Sequence, residues 1–186
     1  YRQQLDAILF SVNQYADDVV REWAQNLDMQ IKEAQEPEVL AQSMNFRNEH
    51  PAIQRIFLIP EDSTQVIALS ADSTNTYTLG AVLDSSTYMK QRVLDKLQTY
   101  LTAGYRKIEA INHVCDPGEE MVIFALNGEA HPYKWASFLI NPDDFVELEL
   151  TNKLQEIARD KFILTVSNLD TQNQLYTSDP VDSVEV

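Results

Sequence analysis

Glycine is scarce in this chain, and its four copies, Gly80, Gly104, Gly118 and Gly128, stand apart with at least nine residues between neighbours. No phosphate-cradling glycine loop can be assembled from them, so nucleotide cofactors held by such loops are not expected. The GxSxG, HExxH and CxxC patterns are also absent, and no other cofactor is called for. Cys115 is the single cysteine, which rules out an intramolecular disulfide and leaves the redox compartment unread. Basic residues are few: 14 Lys and Arg stand against 29 Asp and Glu, a net charge of −15. That balance repels phosphate backbones and anionic lipid surfaces, so nucleic acid is not expected as a partner. The acidity is spread along the chain, as on a solvated surface. Runs of eighteen or so apolar residues and a charged-then-apolar signal peptide are missing too.

What is present is a hydrophobic content of 44% over 186 residues, enough for a globular core. Apolar residues recur at helical spacing from the outset: Leu5, Leu9, Val12, Ala16, Val19, Trp23, Leu27 and Ile31. No capping residue precedes YRQQLDAI, so the expectation is a helix that begins before the sequence does. Thirty such residues span roughly 45 Å. The stripe suits either a coiled-coil seam between protomers or packing on its own domain. Pro37 suits the first turn of a second, shorter helix that ends before Pro51.

The period then changes. IQRIFLI (Ile53 to Ile59) and QVIALS (Gln65 to Ser70) read as a hairpin around a Pro60 to Ser63 turn. A helix follows from Ser85 or Ser86 to about Ala103, ended by Gly104. MVIFALN and YKWASFLIN form a second strand pair, Asn141-Pro142 opens another helix to about Asp160, and KFILTVSN with QLYTS makes a third pair. Strands arriving as hairpins predict an α+β fold, with a long N-terminal helix packed on a mostly antiparallel sheet and additional helices. Alternation places Ile53, Arg55, Phe57 and Ile59 on one strand face.

Several residues carry possible chemistry. In HPYKWASF, Tyr133 and Trp135 share a strand face and offer apolar bodies with polar tips, suited to lining a pocket or to anchoring the sheet on the long helix. Tyr105, Arg106 and Lys107, just past a helix end, bring cations either to an anionic ligand or to the helix dipole. Arg55, among apolar neighbours, must be paired, reach the rim or hold a ligand's charge. The candidate ligand-binding set is therefore Tyr133, Trp135, Arg106, Tyr105 and Arg55. INHVCDPGEE sets His113, Cys115 and Asp116 close enough to meet, as a thiol site with or without zinc or as a loop histidine beside a buried cysteine. His50-Pro51 reads as a structural boundary.

The layout resembles the extracytoplasmic sensor domain of bacterial membrane-bound histidine kinases, of the Cache or PAS-like sort. The resemblance rests on the uncapped helix from Tyr1, on HPAIQRIFLI at His50 to Ile59, and on the closing FILTVSNLDTQNQLYTSDP. It implies one sensor domain over residues 1–186, with a leading helix over 1–33 and a core over 51–180. The helix would continue from one transmembrane helix and the closing strand pair would lead into a second. A homodimer, a small-molecule or protein signal and an output kinase elsewhere in the protein are implied with it. The kinase phosphorylation motif is not matched at Glu49-His50-Pro51. An amino-acid-binding pattern of spaced Tyr, Arg, Trp, Tyr and Asp is approached only by Tyr105, Arg106, Trp135 and Asp143, so ligand class does not carry over. Two rivals stand beside this reading: a hydrolase fragment using His113, Cys115 and Asp116, and an interaction domain without a pocket, its Trp135 wholly in the core.

Overall fold

The computed structural model describes residues 2–62, 64–83, 87–111, 113, 118–159, 163–169 and 171–178. They fall into two compact units, Val20–Asn141 and a second made of Tyr1–Val19 with Pro142–Val186.

The Val20–Asn141 unit is built on a six-stranded sheet: β1 (Ile53–Pro60), β2 (Val66–Leu69), β3 (Thr74–Tyr77), β4 (Ile108–Ile111), β5 (Glu120–Ala125) and β6 (Tyr133–Ile140). Its order is β3-β2-β1-β6-β5-β4, antiparallel throughout, so two three-stranded meanders join at the β1–β6 pair. Those two central strands are the longest and most apolar, as strands buried on both faces must be. One face receives the C-terminal part of helix α1 (Arg2–Ile31) and helix α2 (Glu36–Glu49). Trp23, Leu27 and Ile31, at successive helical turns, are buried with Phe46 of α2. Phe138 lies 6.4 Å from the Trp23 ring, 6.0 Å from Phe46 and 4.8 Å from Phe124. The other face packs Phe57, Ile59, Met121, Ile123, Trp135 and Leu139 against Leu94 and Leu97 of helix α4 (Thr87–Thr102), which follows the short helix α3 (Leu79–Val82).

Two strand expectations are corrected. Ile53 pairs with Ile140 and Arg55 with Leu139, so a bulge at Gln54 absorbs one residue. Arg55 thus shares the α4-side face with Phe57 and Ile59, and Ile53 turns to the other face with Ile56 and Phe138. The strands also number more than three pairs: β3 (TNTY) is polar and exposed along its whole length, and β4 (IEAI) is four residues long, so neither showed a period.

In the other unit, helix α5 (Pro142–Phe145), a π-helical turn (Val146–Leu150) and helix α6 (Thr151–Ala158) follow one another. Thr151 Oγ1 donates to the Glu147 carbonyl at 2.8 Å within that wider turn. Arg159, at φ 36°, ends α6 in the left-handed region. The closing pair, β7 (Thr165–Ser167) and β8 (Gln174–Thr177), forms its own two-stranded sheet. Tyr176 donates to Gln155 at 2.8 Å, and Asn168 to Asp143 at 2.8 Å.

Candidate functional site

Gly104 ends α4 with φ +86°, its N–H donating to the Leu101 carbonyl at 3.0 Å while Tyr105 N–H reaches Tyr100 at 2.9 Å. That pair of bonds is a Schellman cap, which needs a residue free of a Cβ penalty at this φ. The chain turns there, and Arg106 follows two residues on. Its Nη1 donates to the Ala125 carbonyl at 2.7 Å and its Nη2 to Asp28 Oδ2. Asp28 sits on the buried face of α1, 2% exposed. Asn127, just after β5, donates to it twice, from its backbone N–H at 2.8 Å and from its amide at 2.7 Å. Three donors therefore satisfy a carboxylate that would otherwise be costly to bury.

This knot forms one wall of a cleft of about 500 Å³ that Gln25, Met29, Lys32, Leu101 and Gly104 complete. Lys32 and Arg106 bring two cations to it, Arg106 neutralised by buried Asp28 and Lys32 lying 4.0 Å from the exposed Glu33 carboxylate, and Met29 and Leu101 supply apolar surface. A ligand with one anionic group and a small apolar body suits this lining.

The other predicted residues lie elsewhere. Tyr133, 1% exposed, donates to Glu36 at 2.9 Å. Burial first, then the hydrogen bond to Glu36, pushes its phenol well above the usual range, so it is neutral. Tyr133 lines a second, smaller cleft of about 200 Å³ with Glu36, Asp62, Thr64 and Gln65. Trp135 is in the core, 5% exposed, its indole N–H donating to the Leu94 carbonyl at 3.0 Å. It anchors the sheet to α4 and not to the long helix. Tyr105 is 69% exposed beside Arg106, and Arg55 is half-buried and engaged within the fold. The five residues thus do not meet in one cleft.

His113 pairs by a backbone bridge with Leu83, and its Nε2 lies 2.8 Å from the Glu119 carbonyl. Cys115 and Asp116 lie outside the described residues. Among the described residues no group of three or more His, Cys, Asp or Glu is placed to hold a metal, and no helix is long and apolar enough to cross a membrane. The His50 ring packs, tilted, 5.0 Å from Trp23 and 4.4 Å from Phe46, as a structural boundary residue.

No family model and no curated protein matches this chain. Solved structures do. The sensory domain of the Campylobacter jejuni chemoreceptor Tlp3 (CcmL) superposes with a TM-score of 0.51 at 12% identity, over 83% of this chain and 64% of that one. The ligand-binding domain of the same receptor, in complex with L-norvaline, gives 0.49 at 12% identity over 95% and 68%. The likeness is one of fold. It agrees with the α+β architecture and its long N-terminal helix.

Asp28, Asn127 and Lys32 escaped the sequence reading. Asp28 carried a signal, as a carboxylate on the same helical face as Trp23, Ala24, Leu27 and Ile31.

Proposed function

We propose that this chain is an extracytoplasmic signal-sensing domain of a transmembrane two-component histidine kinase, spanning residues 1–186 and working as a homodimer. The observation that carries the reading is the fold shared with a chemoreceptor sensory domain. Because that relative in fold is a chemoreceptor, a chemotaxis output is the second reading. The role assigned here is binding, with no reaction catalysed.

The signal is a small molecule bound in the Arg106 cleft. Its anionic group competes with Asp28 for Arg106 and draws on Lys32, so binding shifts the balance that holds Asp28, and with it the end of α1. Helix α1 contributes residues to both units, which makes it the carrier of the response. Tyr133 and the small cleft beside it form the alternative ligand position.

A thermal-shift screen of the purified domain against amino acids, carboxylates, sugars and metal ions tests the reading. A ligand at a hundred times its dissociation constant adds about 2.7 kcal/mol of stability. The expected outcome is a carboxylate-bearing hit weakened by Lys32→Ala; no stabilisation by any member of the panel counts against a small-molecule sensor.

A further inference from the structure

His131 is 5% exposed, and neither ring nitrogen has a hydrogen-bond partner among the described residues. Buried polar groups are normally satisfied, and this ring, with only the Tyr133 backbone acting on it as a hydrogen-bonding group, is held chiefly by packing. Its seat is Gly128. A Cβ on that residue would fall 2.0 Å from His131 Nε2, and Gly128 is not among the glycines with positive φ. Space, not backbone conformation, requires glycine here.

The loop around the ring is clasped shut. Lys134 Nζ donates to the Gly128 carbonyl at 3.3 Å, Leu126 N–H to the Lys134 carbonyl at 2.8 Å, and Glu61 N–H to the Pro132 carbonyl at 3.1 Å. Asn127, in the same loop, makes two of the three bonds that hold Asp28 of α1. We propose that the loop from Leu126 to Tyr133 is an acid-released latch, in which neutral His131 seated on Gly128 keeps Asn127 on Asp28 and so fixes the end of α1.

The groups facing the ring oppose a buried proton. Lys134 of β6 stands beside it. Asp28 of α1 attracts a proton but is already filled by Arg106 and Asn127. Tyr133, whose ring lies 5.8 Å away, gives its hydroxyl to Glu36 of α2, and Glu129 on the loop is exposed. An imidazolium here would carry two N–H donors and no acceptor, next to a second cation. Burial first and Lys134 second hold the His131 pKa below the usual imidazole value, with Asp28 and the Tyr133 backbone pulling the other way. The closed loop therefore has its full stability above about pH 6.5, and loses it as pH falls from there through the lowered pKa. The latch stands whether or not a small molecule binds the neighbouring cleft.

The test is NMR on the whole chain, following the His131 ring and amide hydrogen exchange at Asn127 and Leu27 through Ile31 between about pH 7.5 and 5, around the ordinary imidazole pKa. The ring is expected to titrate below about 6.5. Exchange, corrected for its intrinsic pH dependence, is expected to rise by up to about tenfold per pH unit in the same window. His131→Phe should flatten that rise, and Gly128→Ala, by expelling the ring, should speed exchange already at neutral pH. A ring titrating at or above the ordinary value, or corrected exchange that does not change with pH, overturns the latch, and both are read on the unsubstituted protein even if a variant fails to fold.

Discussion

Asp28 and Arg106 meet across 78 positions of sequence, and the carboxylate is 3% exposed against 13% for the guanidinium. Removing one member of a pair this buried leaves the other charge without compensation, at a cost of about 3–5 kcal/mol. Asp28→Asn should lose stability on that scale in urea unfolding, while Lys32→Ala, at an exposed position lining the same cleft, should change it by less than about 0.5 kcal/mol. Tyr133→Phe should cost about 1 kcal/mol through the lost bond to Glu36. Because the folded phenol ionises later than the unfolded one, its contribution is present below about pH 10 and fades as pH rises beyond it. Stability followed from pH 8 to 11 should therefore fall more steeply in the wild type than in the phenylalanine variant. Reading residues in isolation found Arg106 and not its partner, since nothing local in YRK points 78 positions back. Trp135 had two local readings, pocket and core, and only the seat at the Leu94 carbonyl separates them.

At the scale of elements, patterns with a period were legible and irregular pieces were not. The apolar stripe of α1, Pro37 in the first turn of α2 and Gly104 after α4 all mark their helices correctly, because caps and periodicity are local effects. The first two hairpins follow from runs of β-branched and aromatic residues. The bulge at Gln54 is set by pairing with β6, far along the chain, so Ile53 was placed on the wrong face. The polar edge strand β3 pairs with β2 and has no apolar alternation to announce it. Gly104→Ala tests the helix end: the left-handed φ should make it cost about 1 kcal/mol or more, although nothing lies within 4 Å of the added Cβ. Thermal unfolding should show that loss, and Arg106 should shift with it.

At the scale of the whole chain, fold class followed from the order of elements, and the meeting of particular side chains did not. The α+β sheet with its leading helix was predictable because hairpins imply antiparallel pairing. The division into two compact units, by contrast, depends on contacts between residues before Val19 and those after Pro142, which no local pattern records. Leu5, Leu9 and Phe10 are 55%, 53% and 70% exposed, which fits the homodimer of the proposed receptor. A cysteine scan from Leu5 to Ile31 in the full-length, membrane-embedded protein should give crosslinking peaks three and four residues apart; a flat profile would rule out a helix seam between protomers. Small-molecule binding in the Arg106 cleft is tested by an NMR chemical-shift map of the isotope-labelled domain under a carboxylate and amino-acid panel. Saturable shifts centred on Lys32, Arg106 and Asn127 are expected; saturable shifts confined to other surfaces, or none at all, would rule out a sensor site in the Arg106 cleft.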